Sequence, residues 1–148
     1  MALLTNEIKN LIDSQKLGYV ATVSPDNTPN LSPKGTIYAW DDEHLVFADI
    51  KSPKTMANLE NNSSVEINVV NPISRKGFRF KGEGKILSSG VEYDKIISHY
   101  NNIGIKSKIG RVVIIKVHSV TDITSPLYDL GYTEDEIKKR WRAHYLSS

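Results

Sequence analysis

The sequence predicts a mainly β protein, an antiparallel sheet closed into a small barrel with helices on its outside. Three observations carry that prediction. Apolar and polar residues alternate with period two in Val65-Glu66-Ile67-Asn68-Val69 and in the longer run Gly77 to Leu87, the pattern of half-buried strands. Most such runs follow one another through short turns with few helices between them, which suits antiparallel pairing better than a parallel doubly wound sheet. Gly82 and Gly84 interrupt the longest run, where a barrel wall would bend or bulge.

The elements follow in order. Thr5 caps a first helix whose stripe is Ile8, Leu11 and Ile12, ended near Lys16-Leu17-Gly18. Tyr19 to Val23 reads as a strand, Pro25-Asp26-Asn27-Thr28 as a turn, and Asn30 to Trp40 as one extended return strand, together a hairpin. Asp41-Asp42-Glu43 turns into a compact strand, His44 to Asp49. A helix starts at Ser52, with Met56, Leu59 and Ala57 as its apolar face, and Asn61-Asn62-Ser63-Ser64 ends it. Strands at 65–69 and 77–87 follow, with Asn71-Pro72 stopping the first. A helix from Val91 to Tyr100 carries Val91, Ile96 and Ile97, and Arg111 to Val117 is the most apolar strand. Thr133-Glu134-Asp135-Glu136 has a capping-box spelling and opens a helix over about 133–145, with acids at its start and Lys138, Lys139 and Arg140 further on. The sum is six strands and four helices in one expected domain, 1–148, without repeat or linker.

Composition excludes several classes of function. A formal net charge of +2, from 19 basic and 17 acidic residues, advertises neither a nucleic-acid nor a membrane partner. Zero cysteines remove disulfides, cysteine nucleophiles, zinc ribbons and thiolate-held clusters. The start Met1-Ala2-Leu3-Leu4-Thr5-Asn6-Glu7 turns polar too early for a signal peptide, and no apolar run approaches membrane-spanning length; a soluble cytoplasmic protein is expected. The four histidines lack zinc-site spacing, and no Walker, G-x-G-x-x-G or G-x-S-x-G run occurs.

The most informative residues are two short polar runs, Asn30-Leu31-Ser32-Pro33-Lys34-Gly35-Thr36 and Ser52-Pro53-Lys54-Thr55. Ser52 is a favoured N-cap and Pro53 suits the first helical position. The N–H groups of Lys54 and Thr55 at such a start favour an anion, to which Lys54 adds a charge and Thr55 a hydroxyl. An ordinary capped surface helix with a solvated lysine is the plain alternative.

The order of these blocks, with Gly18-Tyr19-Val20-Ala21-Thr22, Phe47 to Thr55, Asn58-Leu59-Glu60-Asn61-Asn62 and Phe78-Arg79-Phe80-Lys81-Gly82, resembles the FMN-binding split-barrel family of pyridoxamine 5'-phosphate oxidase, especially its small bacterial flavin-nucleotide-binding members. The resemblance spans about Thr5 to Val120. It implies a six-stranded Greek-key split barrel, a homodimer with FMN between the subunits, and flavin oxidoreductase chemistry with a small-molecule substrate or electron donor. By position it implies that Ser52, Lys54 and Thr55 hold the flavin phosphate, and that Ser32, Pro33, Lys34, Gly35 and Thr36 form the strand along the flavin, with Lys34 as a second cation. Ala48 and Asp49 fall where the family lines the ribityl chain and ring, an aspartate there facing the ribityl hydroxyls.

Arg75, Lys76 and Arg79 are the further contacts expected from the partner subunit; a solvated basic edge is the other reading of the three. Trp141 either covers the flavin or, with Ile137 at i−4, belongs to core or interface. Arg142-Ala143-His144 spells the Arg-x-His pair of the vitamin B6 oxidases, but in a predicted helix the two side chains diverge, so that substrate is not the leading one. No catalytic residue is assigned, because the chemistry would be the flavin's own. A flavin store, carrier or sensor without turnover is the alternative function, and relatives that use F420 or haem keep the cofactor's identity open. A nucleic-acid-binding barrel is a third reading, weakened because Phe78 and Phe80 alternate with Arg79 and Lys81 and so face the other way.

Overall fold

The protein is described by a computed structural model over residues 3–147; Met1, Ala2 and Ser148, the ends of the expected 1–148 domain, lie outside them. Helix α1, Asn6–Gln15, starts where Thr5 Oγ1 accepts the N–H of Ile8 and ends at Lys16, itself left-handed at φ 53°. The other helices are α2, Pro53–Asn61, α3, Val91–Asn102, and α4, Glu134–Leu146. The predicted capping box of Thr133 and Glu136 opens α4, and a 3-10 turn, Pro126–Tyr128, precedes it.

Seven strands form one sheet: β1, Gly18–Val23; β2, Pro29–Lys34; β3, Tyr38–Ala39; β4, His44–Ala48; β5, Ser64–Asn71; β6, Lys76–Leu87; and β7, Val112–Thr124. Their order is β2-β1-β5-β6-β7-β4-β3, and every recorded pairing is antiparallel. The expected count of six is corrected to seven because the run 30–40 breaks at a turn over Gly35 and Thr36. Its halves pair with different neighbours, β2 with β1 and β3 with β4, at opposite ends of the sheet order. A flat sheet would hold first and seventh strands roughly 29 Å apart. The four Cα steps from Lys34 to Tyr38 span at most about 14 Å, so the sheet must curl upon itself. The split-barrel prediction therefore holds, with the chain crossing its seam at 35–37.

The predicted bend lies where the β6–β7 register shifts between Lys81 and Gly82. A Cβ on Gly82 would stand 2.1 Å from the Lys116 carbonyl oxygen, so only glycine fits. Strand β7 runs seven residues beyond its expected end at Val117, because past the bulge at His118 the run Ser119 to Thr124 pairs with Lys76 to Lys81 despite its polar composition.

One core fills the barrel, including Ile12, Val20, Phe47, Ile67, Phe80 and Ile115. A second lies outside the wall, where Ile96 and Tyr100 of α3 cover Val46, Ala48 and Val112. Strand β4 is buried from Leu45 to Ala48 because both of its faces are covered, which removes alternation from its sequence. Val91, expected on the apolar stripe of α3, is 73% exposed.

Candidate functional site

The start of α2 is the first part of the site. Pro53 takes the first helical turn as expected, but Ser52 makes no side-chain cap bond. Its hydroxyl donates instead to Asp49 Oδ1 at 3.0 Å, a correction to the predicted N-cap chemistry. The first helical bond is Met56 N–H to the Ser52 carbonyl, 3.1 Å. Among the described residues the N–H groups of Lys54 and Thr55 have no acceptor, which is the open donor pair of a helix start. Thr55 is buried and Lys54 exposed. Asp26, in the β1–β2 turn, is held below the usual carboxylate range chiefly by the Thr28 hydroxyl and N–H, with a small pull from the charge of Lys54.

Lys34, at the end of β2, is the second part. It is 8% exposed, and its ammonium makes no hydrogen bond or ion pair among the described residues. Its Nζ lies 5.8 Å from the centre of the Phe47 ring. Burial pushes its ammonium below the ordinary lysine value, and the Asp49 carboxylate pulls the other way. The residue as a whole is buried while its ammonium has no protein partner, which leaves three charged donors free for a ligand. Ser32 is half-buried on the same face two residues earlier, while Pro33 and Gly35 are exposed. Because β2 ends the sheet order, its outer backbone groups have no strand partner.

Thr36 and Ala48 have other employment. Thr36 Oγ1 accepts the Ala48 N–H at 2.9 Å, and its carbonyl accepts the Tyr100 hydroxyl at 2.7 Å. Ala48 is buried in the outer core beside Ile96 and Tyr100, so its side chain lines no open surface. Asp49 is fixed by its backbone, which donates to the Arg111 carbonyl at 2.8 Å and accepts from Gly110 N–H at 3.0 Å.

The expected partner-side group lies elsewhere in the chain. Strand β5 starts at Ser64, just after α2, whereas Arg75 and Lys76 sit at the far turn of the β5–β6 hairpin. Arg75, at φ 59°, lays its guanidinium 3.6 Å from the centre of the Trp141 indole and donates to the Tyr145 hydroxyl at 3.0 Å. Lys76 pairs with Glu134 at 3.1 Å, and Arg79 with Glu66 at 3.2 Å. Within this chain Trp141 packs against Arg75. Arg142 and His144 stand on α4, where their side chains diverge as expected.

Sequence reasoning missed a buried polar seam under α2. Ala57, expected on the apolar face, is exposed, and Asn58 is buried instead at 1% exposure. Its Nδ2 donates to Thr22 Oγ1 at 3.0 Å, while its Oδ1 is buried without a partner. Asn58 lies one turn after Thr55 and opens the block Asn58-Leu59-Glu60-Asn61-Asn62, but neither the spacing nor the block marks it as buried. The described residues hold no group of three or more side chains suited to a metal ion, and none of their helices is long and apolar enough to cross a membrane.

The sequence pattern of the family described as pyridoxamine 5'-phosphate oxidase matches residues 4–121. No curated protein matches the chain. Among solved structures it is similar to HupZ of Group A Streptococcus, at 30% identity over 82% of this chain and 94% of that one, with a TM-score of 0.74. It is also similar in fold to an FMN-binding protein from Syntrophomonas wolfei, at 19% identity over 82% and 87% of the two chains and a TM-score of 0.70. An F420 reductase shares the fold at 20% identity over 79% and 98%, with a TM-score of 0.58. With the family pattern covering both parts of the cradle and the barrel that positions them, the chain belongs to the pyridoxamine 5'-phosphate oxidase family.

Proposed function

We propose that the protein is an FMN-binding flavoprotein, a small oxidoreductase that works as a homodimer in the cytoplasm. The observation that carries this reading is Lys34, more than nine-tenths buried and with no hydrogen-bond or ion-pair partner for its ammonium among the described residues. The open N–H groups of Lys54 and Thr55 at the start of α2 are the second set of donors. A phosphate offers what these donors lack, several anionic oxygens for charge-assisted bonds. Lys34, Ser52, Lys54 and Thr55 would hold that phosphate, and Ser32 with the unpartnered edge of β2 would meet the polar rim of the ring. Arg75, Lys76 and Arg79 would join from the second copy of the chain. Bound flavin supplies hydride and electron transfer, and the protein's part is to bind, orient and exclude water.

The test is the visible spectrum of the purified protein before and after titration with FMN. Uptake of one FMN per chain is the expected outcome, and Lys54→Ala should weaken it by about tenfold or more, the size of a lost charge-assisted contact. Unchanged affinity in that variant would remove Lys54 from the phosphate site. F420 titrated in parallel decides the cofactor, since an F420 reductase shares this fold. Steady-state consumption of NAD(P)H with a panel of acceptors separates an oxidoreductase from a flavin store or sensor.

A further inference from the structure

We infer that Asn58 is a positioning residue of the cradle: its buried amide ties α2 to the β1–β2 hairpin and so holds the first turn of α2 in one place relative to the strand that carries Lys34. Asn58 thereby serves the phosphate site of the flavin reading, on which this role rests, without touching the ligand itself. Hydrogen-bond geometry, burial and strand register carry it.

Asn58, Thr22 and Ser24 are each more than nine-tenths buried. Asn58 Nδ2 donates to Thr22 Oγ1 at 3.0 Å and to Ser24 Oγ at 3.4 Å. Thr22 belongs to β1, and Ser24 opens the turn to β2, where its N–H donates to the Thr28 carbonyl at 2.9 Å. Among the described residues, these two are the hydrogen bonds that join α2 to the hairpin. The hairpin is itself in register along its whole length, from Val23 opposite Pro29 to Gly18 opposite Lys34. Fixed geometry therefore runs from the open N–H groups of Lys54 and Thr55 down the helix to Asn58, across to Thr22, and along the hairpin to Lys34.

The other contacts of α2 do not set its position in this way. Met56 and Leu59 sit in the barrel core, but apolar burial is non-directional and tolerates a small slide or turn of the helix. A hydrogen bond weakens steeply once its angle departs far from linear. Glu60 meets Arg111 at 2.8 Å, an exposed pair that ties the helix to the residue before β7 and leaves the hairpin free. Thr55 lies one turn before Asn58 on the same face and is buried as well, so whatever fixes Asn58 fixes Thr55. The Oδ1 of Asn58 is buried without a partner, a cost that an apolar side chain of like volume would not carry. Fixing registry is the best-attested use of a buried polar group kept at such a cost.

The test compares Asn58→Leu, which removes both bonds, with Thr22→Val and Thr22→Ser, which remove and keep the accepting hydroxyl. FMN and riboflavin are titrated into each by flavin fluorescence, on preparations whose urea melts show them folded. FMN affinity should fall by about tenfold or more in Asn58→Leu and Thr22→Val, with riboflavin affinity unchanged, and Thr22→Ser should bind FMN as the wild type does. An FMN-to-riboflavin ratio equal to that of the wild type overturns the inference and leaves the flavin reading standing, because a loss of stability alone moves both affinities together. Should Asn58→Leu not fold, the two Thr22 variants decide by the same ratio. A second measurement needs no ligand. The chain has no cysteine, so spin labels on Ala57→Cys and Thr28→Cys, both exposed positions, report the spacing of α2 from the hairpin by pulsed EPR, with labelled chains diluted in unlabelled ones. The distance distribution should shift or broaden when Asn58→Leu is added; an unaltered one overturns the inference. If the wild type takes up neither flavin, the flavin reading fails and the service to a phosphate fails with it, while the spacing still decides whether Asn58 holds the helix.

Discussion

Lys34 holds a charge where a hydrocarbon would rest more cheaply. Replacing it with methionine keeps the stem, removes the desolvated ammonium and leaves Asp49 its bond from Ser52. Lys34→Met should therefore raise stability, by about 1 kcal/mol, while weakening FMN binding; urea melts and a flavin titration on the same preparation check both halves. His99 marks a different kind of cost. Its ring lies 4.1 Å from the centre of Tyr38, and its Nε2 is buried without a partner. Burial lowers its pKa from the ordinary 6.5, with Asp13 pulling the other way. As pH falls below 6.5 the unfolded chain takes up this proton first, so acid destabilises the fold until the folded midpoint is passed. Asp13, raised above 3.8 by burial, acts oppositely in the window just above 3.8, where the folded chain keeps a proton that the unfolded chain has lost. Urea midpoints at pH 7 and 5 should differ less in His99→Gln than in the wild type. The helix start at 52–53 was legible in the sequence because Ser-Pro suits the entry and first turn of a helix. Asn58 was not, since a helix's buried face is read by counting apolar residues, and Asp49's hold on Ser52 depends on a turn geometry that no pattern encodes.

The elements are stitched at a few points, and the stitch from α3 to the seam is the most exposed to test. Tyr100 is fully buried, and its hydroxyl, pushed far above the ordinary phenol range by burial, donates to the Thr36 carbonyl. Tyr100→Phe leaves that carbonyl without its donor in a dry place, which should cost about 1–3 kcal/mol, measured by chemical denaturation. Gly82→Ala should cost about 2 kcal/mol or more, because the new methyl meets the Lys116 carbonyl and nothing flexible can yield; loss of the β6–β7 amide protection would accompany it. The bend was legible because glycines inside an alternating run have few other uses. Neither the break of 30–40 into β2 and β3 nor the extension of β7 to Thr124 could be read. The first depends on which neighbour each half finds, and the second on a polar strand whose pairing comes from β6 and not from its own composition.

At the scale of the whole molecule, the barrel and its family were legible from strand order and motif order, whereas association between copies of the chain has no comparable signature. The exposed side of β1 and β2 carries Tyr19 at 46% and Leu31 at 67% exposure, apolar residues suited to an interface between copies. If Arg75, Lys76 and Arg79 complete the partner's site, Leu31→Glu should yield a monomer by light scattering and lose FMN together with the dimer. A monomer that still binds FMN at full strength would confine the site to one chain. The three-residue crossing at 35–37 also has a kinetic consequence. The β1–β2 and β5–β6 hairpins and the two-residue β3–β4 pairing form from neighbouring residues, but β4 joins the rest of the sheet only through Val112 to Lys116, more than sixty residues on. Such long closures are slow, so in pulse-labelled refolding the amides of β3 and β4 should become protected after those of β5 and β6. Until then the chain is an open ribbon in which the start of α2 and the end of β2 have no fixed places relative to each other.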